Sequence, residues 1–260
     1  MLRKAFNDAV RWGLLERNVV TLADPPPAKA VAAARRRSMQ TWTADELRQF
    51  LDATVDHLHH PMWLFAASTG VRRSELLGLR WHDIDLTART ASIRQTLIDS
   101  EDGYRLEDDQ KSLSAGRTIH LDRRTARMLR RHQQAQERAR ALLGAGWQDH
   151  GLVFPQHDGC WWNPPAVSLA FRRAVKAVGL PRIRFHDLRH THASLLLRAQ
   201  VNPKVVSERL GHSSVAFTLD TYAHFMPGMQ PEAAEQFMDL LYGPEELPGD
   251  QPPSGGSPSS

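Results

Sequence analysis

Residues 184–197 read RFHDLRHTHASLLL and combine histidine and arginine with an apolar helical pattern. On a helix, His186, Arg189 and His190 share one face, because residues three and four positions apart are neighbours. His186 and His190 also have the i, i+4 spacing of a zinc-binding H-E-x-x-H helix. Zinc is disfavoured because Asp187 replaces the glutamate and Arg189 would place a fixed positive charge beside the metal.

A second stretch, ERLGHSSVAFTLDTYAH at residues 208–224, contains one of the three tyrosines of the chain. Gly211 is predicted to end the helix through Leu210, which places His212 in a turn. Tyr222 is predicted on or just after the next helical segment. The ordinary interpretation of such a tyrosine is a buried aromatic residue at a helix end.

In STGVRRSELLGLRW, residues 68–81, Gly70 ends one predicted helix and the next begins almost at once. Arg72 is therefore expected near exposed amide groups at a helix start, a position suited to phosphate oxygens. Its planar guanidinium donates two parallel hydrogen bonds to phosphate and stays charged. Arg73 is predicted to be a surface cation, and Glu75 a structural partner of nearby arginines.

In DQKSLSAGRTIHL, residues 109–121, Lys111 lies on a predicted β-hairpin just before the strand that contains Arg117 and Ile119. A lysine at a hairpin tip is usually solvated. It can act as a general acid where neighbouring positive charge lowers its pKa.

Together, in order and spacing, the four segments resemble the tyrosine recombinase (phage integrase) family over residues 39–242. The resemblance implies the catalytic-domain fold of that family, which is mainly α-helical with a small antiparallel β-sheet (α+β). It implies a site-specific recombinase or integrase that cuts and rejoins DNA strands through a 3′-phosphotyrosine link and frees a 5′-hydroxyl.

Six residues match the family's catalytic positions: Arg72, Lys111, His186, Arg189, His212 and Tyr222. The match makes Tyr222 the nucleophile and makes Arg72 and Arg189 the clamps on the scissile phosphate, which His212 also stabilises. By the same match, His186 is the base or hydrogen-bonding partner of the attacking group. Lys111 protonates the leaving 5′ oxygen. His190 is predicted to pack structurally.

No cofactor and no metal is implied by the resemblance. The sequence agrees, because it contains neither a P-loop motif G-x-x-x-x-G-K-[ST] nor a paired-carboxylate motif for magnesium. The expected partners are double-stranded DNA attachment sites, a homotetramer assembled on DNA, and accessory DNA-bending or directionality proteins. The predicted C-terminal helix, residues 230–242, would dock on a neighbouring subunit or on its own domain.

Residues 2–15 carry apolar residues at a spacing of four, which predicts an amphipathic helix. By resemblance, residues 1–20 are the remnant last helix of a core-binding domain, and the Pro- and Ala-rich residues 21–38 are a linker. Residues 39–242 form the catalytic domain. The composition of residues 243–260 is typical of a disordered tail. From this short start we expect a chain that keeps the catalytic residues but recombines poorly alone.

Within the catalytic domain, Thr43 and Glu46 predict a capping box at a helix start. Short helices are predicted at 61–68 and 74–79. The stretch from Thr90 to Leu121 has β-type composition around an Asp-Gly turn at 102–103, which predicts a small antiparallel sheet. Further helices are predicted at 122–143, 165–178, 187–199, 203–210 and 230–242.

Basic charge is concentrated locally, with nine basic and two acidic residues between Arg172 and Arg209. Such a concentration favours nucleic acid as a partner, although a solvated helix surface is equally compatible with charge alone. The residues that we expect to contact the DNA backbone are Arg35, Arg36, Arg37, Arg184 and Lys204.

The 260-residue chain has a mean hydropathy of −0.45 and 24% charged residues, which is typical of a globular protein. No stretch approaches the roughly 18 apolar residues of a membrane span, and the N-terminus lacks signal-peptide features. The single cysteine, Cys160, cannot form an internal disulfide. We therefore expect a cytoplasmic protein. Two alternatives to a recombinase stay open: a catalytically silent DNA-binding fragment of an integrase and a type IB topoisomerase-like strand transferase.

Overall fold

The computed structural model describes residues 2–23, 39–100, 103–108, 116–226 and 237–243. Arg35, Arg36, Arg37 and Lys111 lie outside them, as do most of the predicted linker and tail. Helix α1 spans Leu2–Arg11, followed by a 3₁₀ turn at Val19–Leu22. It is shorter than the predicted helix 2–15, because the chain turns at Gly13, which has a φ of 72°.

The remaining α-helices of the described chain are α2 (Ala44–Ala53), α3 (His60–Thr69), α4 (Arg73–Gly78), α5 (Arg123–Leu143), α6 (Pro164–Val178), α7 (Asp187–Arg198), α8 (Pro203–Leu210) and α9 (Val215–Tyr222). Residues 237–242 are also helical, within the predicted helix 230–242. Among the described helices, none is both long and apolar enough to cross a membrane.

Local sequence signals set several helix ends. Thr43 and Glu46 form the predicted capping box at the start of α2. Gly70 ends α3 and Gly211 ends α8, both with left-handed backbone that glycine adopts without steric cost. Arg189 joins these two helix ends, because it donates hydrogen bonds to the carbonyls of Gly70 and Leu210.

The β-structure divides into two antiparallel sheets rather than the one that the sequence predicted. The strands are β1 (Ile84–Asp85), β2 (Thr90–Ile93), β3 (Gln95–Ser100), β4 (Gly103–Asp108) and β5 (Arg117–His120). One sheet has the order β1-β2-β5, with Ala91 opposite Ile119, and β3 pairs with β4. The first sheet brings β5 next to the helices that carry the site.

Two apolar clusters hold the helices together. The larger one surrounds α3, which is buried on most of its surface, and includes Phe50, Trp63 and Phe171. The smaller one joins α7, α8 and α9 and includes Leu197, Leu210 and Tyr222. Tyr222 is therefore fixed by packing between three helices, all of which contribute to the site.

Candidate active site

Helix α7 begins with a side-chain anchor. The buried carboxylate of Asp187 accepts hydrogen bonds from the Arg184 backbone N–H at 2.7 Å and from Arg184 Nη2 at 2.9 Å. Arg184 remains 65% exposed, so its guanidinium is both anchored and accessible. This anchor sets the direction of α7, which turns Arg189, His190 and His192 into the protein interior.

Arg189 connects the ends of two helices. Its Nη1 donates to the Gly70 carbonyl at 2.8 Å, and its Nη2 donates to the Leu210 carbonyl at 2.7 Å. The residue is only 4% exposed. Burial, and then the positive charge of Arg72, lowers the pKa of Arg189 to about 10, so the guanidinium is still charged at neutral pH. Arg189 is a rigidly held cation.

Arg72 immediately precedes α4 and is more accessible. Its Nη1 lies 2.6 Å from Glu75 Oε1, and its Nη2 donates to the Gly211 carbonyl at 3.2 Å. Its side chain is 36% exposed. Arg72 and Arg189 therefore converge on the same turn at the end of α8, with Arg72 open to solvent.

Arg117 on β5 is a third arginine of this group, and its role was not evident from the sequence. Its Nη1 and Nη2 donate to the two carboxylate oxygens of Glu75 at 2.9 and 2.7 Å. Burial would raise the pKa of Glu75, but these bonds and the charges of Arg117 and Arg72 lower it to about 2. Glu75 is thus the structural partner of nearby arginines, as predicted.

Three consecutive carbonyls at the end of α8 each accept a hydrogen bond from a different arginine. Arg117 Nε donates to the carbonyl of Arg209 at 3.0 Å, and Arg189 and Arg72 donate to those of Leu210 and Gly211. The C-terminal end of a helix carries partial negative charge, which favours this arrangement. We call residues 209–211 the carbonyl turn.

Both glycines near these arginines are required by close approach. A Cβ on Gly211 would lie 2.9 Å from Arg117 Nη1, and a Cβ on Gly70 would lie 2.5 Å from Leu210 Cδ2. A larger side chain at position 70 would displace Leu210 and His192, and one at position 211 would displace Arg117.

His212 follows the carbonyl turn. Its Nδ1 lies 2.8 Å from Thr218 Oγ1, and its ring stacks on that of Tyr222 with centroids 6.2 Å apart and planes 8° apart. Burial, followed by the charges of Arg189 and Arg72, lowers the pKa of His212 to about 3. The ring is therefore neutral at pH 7.

Tyr222, the last residue of α9, is 1% exposed. Its hydroxyl lies 2.6 Å from His190 Nδ1, a hydrogen-bonding distance. The sequence predicted that His190 packs structurally and that His186 is the base or hydrogen-bonding partner of the attacking group. His190 is indeed buried, and in addition it lies within hydrogen-bonding distance of the Tyr222 hydroxyl. His186 is exposed, with its ring 5.0 Å from that of His190. The sequence signal for a role of His190 in the site was its i, i+4 spacing from His186, which places both histidines on one face of a helix.

A groove with a volume of about 820 Å³ opens beside Arg72. Its basic lining residues are Arg72, Arg73, Arg172, Arg182, Arg184 and His186, and Asp99 also lines it. Arg73 also donates to Ser168 Oγ at 2.6 Å, which orients it along α6. Lys204 lies elsewhere, exposed on α8 and 3.9 Å from Glu208.

Within the described ranges, no group of three or more His, Cys, Asp or Glu side chains is placed to hold a metal ion.

The six predicted catalytic residues divide into three sets. Arg72, Arg189, His212 and Tyr222 are linked through the carbonyl turn and ring contacts, and His186 lies at their exposed side. Lys111 lies outside the described residues.

The chain is similar to known proteins over most of its length. A sequence profile of the phage integrase family matches residues 40–228. A "Tyrosine recombinase XerC-like" protein of Caldanaerobacter subterraneus is 29% identical over 256 residues, covering 92% of this chain and 64% of the relative. The ICEBs1 integrase of Bacillus subtilis is 29% identical over 246 residues with the same coverages, 92% and 64%. This chain thus spans slightly less than two thirds of these relatives.

Solved structures share the fold. The Tn1549 transposon integrase in complex with transposon right end DNA has a TM-score of 0.67 at 22% identity, covering 91% of this chain and 76% of that one. The XerA recombinase has a TM-score of 0.56 at 20% identity, covering 80% and 66%. The architecture is therefore the mainly α-helical α+β fold of tyrosine recombinases. Because the profile match covers well over half of the sequence, this chain belongs to the phage integrase family.

Proposed function

We propose that this protein is a site-specific recombinase or integrase that breaks and rejoins double-stranded DNA through Tyr222. The observation that carries the proposal is that His190 and His212 contact Tyr222, while the carbonyl turn next to His212 holds Arg72 and Arg189. Phosphoryl transfer needs a positioned nucleophile and preorganised positive charge around the phosphate. The geometry of this site supports both requirements.

In the proposed step, Tyr222 Oη forms a bond to phosphorus while the bond from phosphorus to the 5′ oxygen breaks. His190 accepts the hydroxyl proton, because its Nδ1 lies 2.6 Å from Oη. The proposal places His186 at the exposed side of the site, beside the DNA. Lys111 gives a proton to the leaving 5′ oxygen; its role rests on the family resemblance.

Arg72 and Arg189 would bind the nonbridging oxygens and balance the charge that develops on the phosphate. Arg189 is already fixed by two carbonyls, so little reorganisation is needed on binding. In the tautomer in which His212 Nδ1 accepts from Thr218, Nε2–H is a neutral donor toward the phosphate. These side chains supply the required charge without a metal, and we propose a metal-independent reaction.

The arginine-lined groove supports double-stranded DNA as the substrate, since basic side chains along a groove attract the phosphate backbone. By family analogy, the complete assembly is a tetramer on attachment sites, with accessory proteins, in the cytoplasm. Exposed Phe237 and Leu240 support docking of the C-terminal helix on a neighbour.

We also propose that residues 39–242 are the catalytic domain and that residues 1–20 are the last helix of a core-binding domain. The match of the family profile to residues 40–228 supports the bounds of the catalytic domain.

The test uses nicked duplexes carrying candidate attachment sites, with a label on one side of the nick at a time. The proposal expects protein attached to the 3′-phosphate side and a free 5′-hydroxyl. Attachment to the 5′ side would contradict it. A silent DNA-binding fragment would bind the duplex without attachment. Relaxation of supercoils without strand exchange would indicate a topoisomerase-like enzyme.

A further inference from the structure

We infer that Arg209, together with His192, is a positioning residue for the phosphate-binding arginines. The inference rests on the proposed function and extends it to residues behind the site. Arg209 belongs to the carbonyl turn, which holds Arg72 and Arg189, and its own side chain decides where that turn lies.

One guanidinium joins three separate segments to α8. Arg209 Nη2 donates to the Ser68 carbonyl of α3 at 2.9 Å, and Nη1 donates to the His120 carbonyl of β5 at 3.0 Å. Its Nε donates to His192 Nε2 of α7 at 3.1 Å. The planar fork of arginine suits several acceptors in fixed directions, whereas a lysine ammonium is a compact point charge.

The bonds of His192 fix which of its nitrogens carries the proton. Nδ1 lies 2.9 Å from the Ala67 carbonyl, which can only accept, so Nδ1 is the donor. Nε2 faces an arginine N–H and is therefore an acceptor in a neutral ring. His192 is buried and presents this acceptor to Arg209 from inside the protein.

The backbone of Arg209 also contacts the arginines of the site. The carbonyl of Arg209 accepts from Arg117, and the next two carbonyls accept from Arg189 and Arg72. A shift of the Arg209 side chain would therefore move the acceptors of all three arginines. Misplacement of a catalytic group by about 1 Å can cost on the order of 100-fold in rate.

The three groups that accept hydrogen bonds from the Arg209 side chain are all neutral. Its partners are two carbonyls and an imidazole, so these contacts are directional hydrogen bonds rather than ion pairs. Burial lowers the pKa of Arg209, partly offset by Asp122. A half-buried charge is costly unless its hydrogen bonds are satisfied, which favours a geometric role for Arg209.

The experiment measures the single-turnover rate of covalent complex formation on saturating nicked duplex. It compares the wild type with Arg209→Gln, Arg209→Lys, His192→Asn and the exposed control Arg138→Gln on α5. Affinity for the intact duplex is measured in parallel on proteins that carry each of the same substitutions together with Tyr222→Phe. All rates are taken below the unfolding temperature of each variant.

We expect Arg209→Gln to lower the rate at least about tenfold with affinity within about twofold of wild type. Arg209→Lys should recover part of the rate. His192→Asn, which keeps a donor for Ala67 but is too short to accept from Arg209, should lower the rate less than Arg209→Gln. Arg138→Gln should match wild type. If Arg209→Gln does not fold, Arg209→Lys and His192→Asn carry the test.

Wild-type rates in folded Arg209 and His192 variants would overturn the inference and leave a purely structural role. Equal losses of rate and affinity would also overturn it and indicate a direct DNA contact. If the wild type itself forms no covalent complex, the proposed function fails, and the inference fails with it.

Discussion

Arg189 combines a fixed charge with a fixed direction, because two carbonyls from different helices orient its guanidinium. Lysine would keep the charge but could not hold both carbonyls in a planar fork. The family resemblance predicts an arginine at this position, and the two carbonyl hydrogen bonds give a physical reason to expect arginine rather than lysine.

We expect Arg189→Lys to reduce the rate of covalent complex formation about 100-fold or more, since preorganised donors are lost from the phosphate site. The measurement is single-turnover cleavage of a nicked duplex, with Arg138→Lys as the control. A loss of less than about threefold in Arg189→Lys would contradict the assigned role.

The hydrogen bond between His190 and Tyr222 gives a prediction for the pH dependence of cleavage. His190→Gln keeps an acceptor for the hydroxyl but removes a base. We therefore expect a slower reaction that loses the rise of the wild-type rate with pH. The measurement is the pH–rate profile of both proteins and of His186→Gln. Loss of the pH-dependent rise in His186→Gln, with His190→Gln unchanged, would assign the proton acceptor to His186 instead.

The sequence predicted most helices because their signals are local. The capping box at Thr43 and the glycines after α3 and α8 mark ends that need no distant partner. By contrast, the pairing of β2 with β5 brings together residues separated by the β3–β4 hairpin. No local pattern distinguishes two sheets from one in that stretch.

The same distinction applies to the candidate site. The motifs identified Arg72, Arg189, His212 and Tyr222 by resemblance. The roles of Arg117 and Arg209 depend on their contact across 92 positions of sequence, which one sequence does not reveal. The sequence therefore indicates candidate reacting groups but not the groups that hold them.

Gly211 and Gly179 form a matched pair for testing the carbonyl turn. Both end helices with positive φ, but a Cβ on Gly211 would press on Arg117, whereas nothing lies within 4 Å of a Cβ on Gly179. Alanine at Gly179 should cost roughly 1 kcal/mol of unfolding free energy for the backbone alone. We expect Gly211→Ala to cost at least about 1 kcal/mol more.

Urea unfolding of both variants measures these costs. Cleavage rates complete the comparison, because only Gly211→Ala should also slow covalent complex formation. Equal stabilities and equal rates in the two variants would show that the turn tolerates displacement.

Charge is distributed over the molecule so that a groove of arginines leads to the site. Binding to duplex DNA should therefore weaken steeply with salt. Removing one phosphate contact should reduce the slope of log K against log salt by about 0.9. We expect this change for Arg172→Gln and for Arg182→Gln, and none for Arg138→Gln, in binding titrations at several salt concentrations. Unchanged slopes in both groove variants would place the DNA elsewhere.

The stability of the whole fold should depend on pH through His192. Burial, and then the charge of Arg209, lowers its pKa to about 3 in the folded protein, against an ordinary value of 6.5. Between these values the unfolded chain binds the proton and the folded one does not. Stability is therefore lost as pH falls below 6.5, by up to about 1.4 kcal/mol per pH unit. Glu75, with a folded pKa of about 2 and an ordinary value of 4.5, adds its loss only below pH 4.5.

Urea unfolding between pH 7 and pH 5 excludes the contribution of Glu75, whereas His212, whose pKa is also lowered to about 3, contributes equally in wild type and in a His192 variant. His192→Asn removes the buried titrating ring, so its stability should fall less with decreasing pH than that of the wild type. Parallel pH dependences of the two proteins would show that His192 is not held neutral by the fold.

The most direct test of the central claim is covalent attachment of Tyr222 to DNA. The wild type and Tyr222→Phe are incubated with nicked duplexes carrying candidate attachment sites, in the presence of a metal chelator, and separated on denaturing gels. We expect a chelator-resistant complex with the wild type and none with Tyr222→Phe. Retained DNA binding by the wild type without any covalent complex, or a complex that persists in Tyr222→Phe, would contradict the account.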